Sequence, residues 1–467
     1  MYKLSHREYK YLALNLFSII SSFLGIIFFN SYFFLVFNLT LGWINLIYSY
    51  FNQIVYKKNR IDIFFLFSFS IGFGYILSTC IYVLSSGSTE LKEIFSDNGF
   101  GVDFIYYIYS INIILIVFFI MNIISILSGG LYFPKISLDE MKKNESLFYY
   151  ASLFIVIIGF LFGRVGYRGV VNIDSGGVDA IAIILRMLIP LLIVLTVFKL
   201  KNKINWIIVG FLFILVGLNS RREMLYLMIS LPLIASMVGY DINYKFILKK
   251  IHYILISIVT LFIMSYFFVA LRVATWSGEK FSSWSTFSIA IEYGVNNQEK
   301  ISQYILETTS DRSFILNYFA ILISKYNFNI VPQYGLEVIY SFLISLPSFI
   351  VDKNKLPSSM EEMMHPLYGI PVYDDANSIL VSGINDFYLF GVVLYPIIFS
   401  IIFILFFKLF VNNKERFVLL AVGVFFVYGI LPIESTLVEK FLILRNILIV
   451  LSIYYLSKFI VSAVKIR

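Results

Sequence analysis

The sequence has few charged residues and one cysteine, and each shortage excludes a class of protein. Charged residues make up 14% of the 467 residues, whereas about 25% is usual for soluble domains. With 60% hydrophobic residues and a mean hydropathy of +0.86, the composition excludes a water-soluble fold. Cys80 has no second cysteine, so neither a disulfide framework nor a thiolate metal site is available.

Long apolar runs, in which charged residues are rare, make up much of the sequence. A bilayer core about 30 Å thick needs about 20 mainly apolar residues per helix, because lipid cannot satisfy exposed backbone groups. The first run lacks a small-residue cleavage site, so we expect it to be a retained span. The sequence therefore predicts an all-α polytopic membrane protein with about twelve transmembrane helices, at residues 11–29, 31–51, 62–84, 104–128, 147–163, 180–198, 204–219, 223–240, 248–271, 388–408, 417–433 and 441–460.

Basic residues in short loops predict the orientation, since such loops stay in the cytoplasm. With the N-terminus inside, every segment on that side carries three basic residues, which together make 21 of the 36 in the chain. We therefore expect both termini in the cytoplasm, and the net charge of +8 gives no reason to predict nucleic-acid binding. The seven sets are Lys3, Arg7 and Lys10; Lys57, Lys58 and Arg60; Lys135, Lys142 and Lys143; Lys199, Lys201 and Lys203; Lys245, Lys249 and Lys250; Lys408, Lys414 and Arg416; and Lys458, Lys465 and Arg467.

One large loop is expected on the opposite side. Residues 272–387 carry twelve acidic and seven basic side chains, as is typical of a translocated segment. Within the loop, residues 313–326 and 335–351 suit short interfacial or re-entrant helices; if both crossed the bilayer, the count would be fourteen. The predicted organisation is nine spans in 1–271, the outer loop in 272–387 and three spans in 388–467, as one integrated membrane domain.

Arginine is concentrated away from the cytoplasmic sets. A guanidinium presents a rigid fork of donors that matches phosphate oxygens, so arginines at the outer interface suit a lipid phosphate or pyrophosphate. Snorkelling to headgroups is the alternative for any one of them. Arg221 and Arg222 lie on a tight outer turn, and Arg164 and Arg168 on a glycine-rich one. The eight arginines of this group are Arg164, Arg168, Arg186, Arg221, Arg222, Arg272, Arg312 and Arg445.

The outer loop also holds the candidate general bases. His365 is the one histidine expected outside, and an imidazole could take a proton from a sugar hydroxyl near neutral pH. Asp374 and Asp375 are the acidic candidates. A structural histidine and a solvated acidic turn are the alternative interpretations. Other carboxylates in the loop compete for the same role: Glu292, Glu361, Glu362 and Asp386.

Aromatic residues of the loop could stack on sugar rings, with Trp276, Trp284 and Tyr373 as the candidates, or belong to the interfacial aromatic belt. Zinc-ligand spacing, an outer Asp-x-Asp and a P-loop are all missing from the sequence. We therefore expect neither a metal nor a cofactor.

This layout resembles the Wzy-type O-antigen polymerases, which are oligosaccharide repeat unit polymerases. The likeness is carried by the spans, the outer arginines and a late outer loop that ends in Asp375-Ala-Asn-Ser378 and Gly383-Ile-Asn-Asp-Phe-Tyr-Leu-Phe-Gly391. It covers nearly the whole chain in architecture but only short patches in residues. It implies a GT-C-like architecture in a bacterial inner membrane, with the active site facing the periplasm.

The resemblance implies an inverting, metal-independent glycosyltransferase. It would move the growing glycan from undecaprenyl pyrophosphate to the non-reducing sugar of an incoming lipid-linked repeat unit, with a chain-length regulator as a candidate partner. Arg164, Arg221 and Arg272 would hold carrier pyrophosphates, and His365 or an outer carboxylate would activate the acceptor hydroxyl. An O-antigen ligase and a lipid-linked oligosaccharide flippase are the alternatives.

Overall fold

The computed structural model describes residues 5–95, 101–134, 143–162, 180–198, 203–243, 245, 249, 251–279, 285–313, 315–325, 331–357, 360–370, 377–411 and 415–466. This part is almost entirely helical, and each of the twelve stretches expected to span a membrane overlaps a helix. The helices are α1 His6–Ile27, α2 Tyr32–Val55, α3 Ile63–Ile71, α4 Leu77–Ser85, α5 Leu91–Ile94, α6 Phe104–Ser128, α7 Lys143–Leu161, α8 Ala180–Phe198, α9 Lys203–Asn219, α10 Arg221–Met237, α11 Ile251–Trp276, α12 Thr286–Asn296, α13 Gln298–Ser313, α14 Leu316–Lys325, α15 Leu336–Ser345, α16 Met360–Tyr368, α17 Ile379–Val411, α18 Arg416–Ile430 and α19 Leu437–Ile466.

Six helical stretches in the described part of the chain are long and apolar enough to cross a membrane. They indicate a membrane-embedded, polytopic protein, as the composition predicts. Helices α3 and α4 form one of these stretches, because a π-helical turn at Gly72–Ile76 connects them without a break. The six are His6–Ile27, Tyr32–Val55, Ile63–Leu84, Phe104–Ser128, Ile258–Trp276 and Ile379–Val411.

Contacts divide the chain into two compact units, each made of several segments. The first unit comprises Met1–Phe133, Thr309–Asn412 and Gly429–Arg445. The second comprises Pro134–Thr308, Asn413–Tyr428 and Asn446–Arg467.

In the first unit, α1 buries polar and small side chains and exposes apolar ones. Ser21 Oγ donates to Asn38 Oδ1 at 2.5 Å, and Asn38 Nδ2 donates to Asn112 Oδ1 at 2.8 Å, which links α1, α2 and α6. Gly25 makes room for these amides, since a Cβ there would lie 2.5 Å from both Asn38 Nδ2 and Asn112 Oδ1. Polar contacts between small residues are the usual means of helix association in lipid, where apolar surface is not driven inward.

Lys57, one of the expected cytoplasmic lysines, is buried in the first unit. Its Nζ lies 2.7 Å from Asp62 Oδ2 and donates to the carbonyl of Ser125 at 3.1 Å. Asp62 is also the N-cap of α3, where its Oδ1 accepts from the backbone N–H of Phe65. Beside this pair, β1 (Arg60–Ile61) and β2 (Leu131–Tyr132) are antiparallel, with Ile61 opposite Leu131. Lys57 is therefore a structural ion-pair residue that holds the ends of α2, α3 and α6 together.

Lys440 is a second buried cation of the first unit. Its ammonium group donates to the carbonyls of Gly429, Ile430 and Pro432, at 3.4, 3.2 and 3.0 Å. Two of these carbonyls belong to the last turn of α18, where backbone oxygens have no partner within the helix. A cation at a helix C-terminus is favourable, so Lys440 is a cap of α18.

Helix α17 is broken near its start. Phe387 and Tyr388 have non-helical backbone angles, and Tyr388 has a φ of 55°. We call residues 379–386 α17a and residues 389–411 α17b. A Cβ on Gly383 of α17a would lie 2.4 Å from the carbonyl oxygen of Gly391 in α17b, so the two backbones touch and the chain folds back at the break. The segment α17b coincides with the span expected at 388–408.

The expected outer loop contains several short helices. Residues 313–326 and 335–351 hold α14 and α15, each ten residues long. Ten helical residues extend about 15 Å, half of the bilayer core, so neither helix crosses it alone. Short helices at these two places are therefore confirmed. Helix α14 packs on α6 and α17, and α15 packs on α17.

The second unit is a series of helices that pack on their neighbours in the chain. Helix α7 contacts α8, α8 contacts α9, and α9 contacts both α10 and α11. The rings of Phe148 and Phe417 lie 5.1 Å apart, and Tyr454 stacks on Phe417 at 4.4 Å, which joins α7 to α18 and α19. The last helices of the chain therefore pack on a helix from its middle.

The backbone contact at the α17 break predicts the effect of a single methyl group. Gly383→Ala should lower the free energy of unfolding by about 1–3 kcal/mol, because the added Cβ meets backbone atoms that cannot rotate away. The measurement is thermal unfolding of the purified protein in detergent. Gly210→Ala, in a helix where nothing lies within 4 Å of the added atom, is the control and should be neutral or slightly stabilising. Equal stability of the two variants would contradict the fold-back.

Candidate functional site: an arginine on aromatic rings, and a buried acid pair

In the second unit, Arg272 lies against two aromatic rings. Its guanidinium carbon is 5.1 Å from the ring centroid of Trp276 and 5.8 Å from that of Tyr304. Residues 272 and 276 are one turn apart in α11 and so share a helix face. Tyr304 comes from α13, and its ring meets that of Trp276 edge-on at 4.9 Å. We call Arg272, Trp276 and Tyr304 the arginine–aromatic cluster.

The neighbouring helices hold this cluster in place. Val269 and Ala270 of α11 and Ile301 of α13 form a buried apolar core. Tyr266 donates its hydroxyl to the carbonyl of Gly294 in α12 at 2.6 Å. A Cβ at position 294 would lie 3.1 Å from the Tyr266 ring, so glycine permits this close packing. Helices α11, α12 and α13 are thus fixed to one another beside the cluster.

The cluster combines a cation with an accessible ring. Trp276 is 58% exposed, and the candidate span Ile258–Trp276 ends at this residue, so the cluster lies at one end of a candidate membrane span. A guanidinium that lies over aromatic rings still carries N–H donors that can bind an anion. Among the described residues, Arg272 has no ion pair with a carboxylate. The cluster therefore combines a cation that suits an anionic group with an exposed aromatic ring.

His365 is described in a different setting, within the first unit. It lies on α16, its side chain is 0% exposed, and its ring is 5.3 Å from that of Tyr318 in α14. Buried against a tyrosine, it resembles a structural histidine more than a base open to a sugar hydroxyl. This burial fits the alternative of a structural histidine, and the role of His365 as a base stays a prediction.

The other residues singled out from the sequence are described in part or not at all. Arg222 is half-buried in the first turn of α10, and its backbone N–H donates to the N-cap residue Ser220 at 3.3 Å. Arg221 begins the same helix, but its side chain lies outside the described residues. Also outside them are Arg164, Arg168, Trp284, Tyr373, Asp374 and Asp375.

The first unit also contains a buried acid pair that the sequence pattern did not single out. Glu337 of α15 and Asp386 of α17a are both 0% exposed. Ser382 donates its hydroxyl to Glu337 Oε1, and Asn385 Nδ2 donates to Glu337 Oε2 at 3.0 Å. From the sequence, Asp386 is only one of several competing acidic candidates, and Glu337 lies within the segment 335–351 expected to form a short helix.

Asp386 joins α17a to the start of α15. Its Oδ1 accepts the backbone N–H of Glu337 at 3.3 Å, and its Oδ2 accepts the hydroxyl of Tyr395. In return, the N–H groups of Gln333 and Tyr334 donate to the carbonyls of Asn385 and Asp386, each at 3.1 Å. The C-terminal end of α17a and the N-terminal end of α15 thus satisfy each other's free backbone groups.

The opposite ends of α17a and α15, away from the acid pair, are also held by hydrogen bonds. Ser378 caps α17a, accepting the N–H of Val381 at 3.4 Å, and its hydroxyl is 2.6 Å from that of Tyr75 in the π-helical turn. At the last turn of α15, Arg445 Nη1 donates to the carbonyl of Ser345 at 2.9 Å. Arg445 is therefore a helix cap in the first unit, whereas the sequence grouped it with the phosphate-binding arginines.

Comparisons with known proteins give no family for this chain. No family model, no curated protein and no solved structure matches it.

Proposed function

We propose that this protein is a glycosyltransferase that polymerises surface polysaccharide from lipid-linked repeat units. The observation that carries the proposal is the arginine–aromatic cluster at the end of a candidate membrane span. A lipid-pyrophosphate sugar presents an anionic group at headgroup depth with a sugar ring next to it. The cluster offers a cation and an exposed ring at the same depth, which complement both parts of this ligand.

In the proposed reaction, the bond between the anomeric carbon of the growing glycan and its pyrophosphate oxygen breaks. A new bond forms to a hydroxyl oxygen of the incoming repeat unit, with inversion, and that hydroxyl loses its proton to a base. Negative charge grows on the leaving pyrophosphate, and Arg272 would stabilise it more strongly in the transition state than in the bound substrate. On the topology expected from the basic residues, this end of α11 faces the periplasm, where the donor arrives already attached to undecaprenyl pyrophosphate.

The base is assigned to the outer loop. His365 is buried in the described state, so it would need α16 to move before it could reach an acceptor. Asp374 and Asp375 remain candidates on the grounds of their position in the loop. Arg164, Arg168, Arg221 and Arg222 remain candidates for a second carrier, because polymerisation requires two lipid pyrophosphates to be bound at once.

A lipid-linked oligosaccharide flippase is the second candidate, because a buried acid pair at a broken helix is typical of ion-coupled transporters. Deleting the gene and resolving the surface glycan on a gel separates the candidates. A polymerase predicts that the ladder collapses to a single repeat unit. Loss of every repeat unit would instead favour the flippase or a ligase, and an unchanged ladder would contradict all three.

The arginine–aromatic cluster predicts a specific variant phenotype. Arg272→Ala should reduce polymer by about 10- to 100-fold, since a charge-assisted hydrogen bond contributes about 1.5–3 kcal/mol. Arg272→Lys should restore it only in part, because an ammonium keeps the charge but lacks the planar fork. Arg7→Ala is the matched control: Arg7 also stacks on two tyrosines but belongs to an expected cytoplasmic set. Normal ladders from Arg272→Ala at wild-type protein levels would refute the role.

We expect that substitution of Trp276 also reduces the amount of polymer. Trp276→Ala removes both the ring that holds Arg272 and the expected sugar-stacking surface, so chains should shorten as they do for Arg272→Ala. Trp206→Ala is the control, because Trp206 of α9 is 60% exposed against 58% for Trp276. Ladder length and membrane abundance are measured together. Equal effects from the two tryptophans would indicate a general need for interfacial aromatics rather than a site.

A further inference from the structure

The acid pair of the first unit takes no part in the proposed glycosyl transfer. Both carboxyl groups are fully buried, and no described lysine or arginine forms an ion pair with Glu337 or Asp386. Two carboxylates in one poorly solvated site do not both ionise at the pH at which exposed acids do, because each charge raises the cost of the other. One of the two must therefore hold a proton.

Hydrogen bonding shows which one keeps its negative charge. Asp386 accepts a backbone N–H in the first turn of α15, where the helix dipole favours an anion, and also the hydroxyl of Tyr395. Glu337 accepts only from two neutral side chains, Ser382 and Asn385. The ionised member is therefore Asp386, and the protonated member is Glu337.

Glu337 lies on α15, which is too short to cross a membrane. The surroundings of its carboxyl group favour the neutral form. Burial raises the pKa of the Glu337 carboxyl to about 7, and the charge of Asp386 acts in the same direction. The hydrogen bonds from Ser382 and Asn385 act against this rise without cancelling it.

Ser341 provides an independent observation. It is 0% exposed, its Oγ has no hydrogen-bond partner, and it follows Glu337 by one helical turn. The buried residues of α15 are Glu337, Ser341 and Ser345, so the two hydroxyls share the face that carries the carboxyl. The face of α15 that carries the Glu337 carboxyl thus also holds a buried hydroxyl with unused hydrogen-bonding capacity.

We propose that Glu337 is a proton-binding site and that, below neutral pH, the acid pair holds one proton and one negative charge. The proton allows α15 to stay packed on the broken end of α17, and its loss places two charges at that junction. A metal ion fits less well, because every carboxylate oxygen of the pair already accepts a hydrogen bond from the protein. This inference does not rest on the proposed function.

The charged and titratable groups around the site are few. Helix α17 contributes Asp386 and Tyr395. Helix α19 packs on α15 through Phe441 and Phe342, and it brings Arg445 to the carbonyl of Ser345 at the far end of α15. The acid that acts on Glu337 is Asp386. Arg445 is held two turns along α15, and Lys440, the residue before Phe441, is held by the carbonyls of Gly429, Ile430 and Pro432.

Infrared difference spectroscopy of the full-length protein in lipid nanodiscs tests the site directly. Between about pH 5 and about pH 9 we expect a carboxylic acid C=O band that titrates near neutral pH, far above the pKa of an ordinary glutamate. Glu337→Gln should remove this band. The control Asp352→Asn should keep it, since Asp352 is an exposed acid paired only with Lys355. Absence of a titrating band, or a band that survives Glu337→Gln, would overturn the proposal.

Two further measurements remain decisive if Glu337→Gln fails to fold. Asp386→Asn removes the neighbouring charge, so the band should titrate at lower pH; an unchanged midpoint would contradict the pair. Replacing K⁺ by Na⁺ at constant ionic strength should leave the wild-type midpoint unchanged, and a shift would overturn the proton in favour of a metal ion.

Stability should follow the same proton. The folded protein holds it more tightly than the unfolded chain, whose glutamate titrates near 4.5. The stabilisation that this proton gives the folded protein is therefore complete below about pH 4.5 and is lost as pH rises through about 7. The thermal midpoint of the wild type should fall across this window relative to that of Glu337→Gln. Parallel pH profiles for the two proteins would contradict the assignment.

Discussion

The backbone contact between Gly383 and Gly391 determines the arrangement of the first unit. A continuous helix of 33 residues would extend about 50 Å, well beyond a bilayer core of about 30 Å. The break at Phe387 and Tyr388 leaves α17b long enough to cross and turns α17a back along it. Only glycine allows the two backbones to touch, and only this approach brings the end of α17a to the start of α15. The acid pair exists because of that meeting.

The same unit shows how a membrane protein packs when apolar surface gains nothing by leaving lipid. Helix α1 buries Asn15, Ser18 and Ser21 and directs its large apolar side chains outward. Such helices associate through hydrogen bonds and close backbone approach. Buried cations are likewise satisfied within the protein. The ammonium group of Lys57 contacts a carboxylate and a carbonyl, and that of Lys440 contacts three carbonyls. Each is satisfied by its surroundings, so neither is available to a ligand.

Sequence reasoning located the helices well because their determinant is local. An apolar run of sufficient length is helical in lipid whatever its neighbours, and all twelve predicted stretches overlap helices. It also named Arg272 and Trp276, which one helical turn brings together. Tyr304 lies on another helix, so its ring contact with Arg272 did not follow from spacing. Glu337 was missed for the same reason, since its partners lie more than 40 residues away and only the fold-back brings them near.

The arginine–aromatic cluster and the acid pair place charged groups in opposite environments, one partly exposed and one fully buried. Arg272 lies against an exposed ring at the end of a candidate span, where a guanidinium can exchange one anionic partner for another. Glu337 and Asp386 lie where no solvent reaches, so their charge has to be limited by a proton rather than by a counter-ion. An exchangeable cation suits a ligand that arrives and leaves, as a lipid carrier does. A buried acid that keeps its proton suits a joint between helices, whose packing then depends on whether that proton is present.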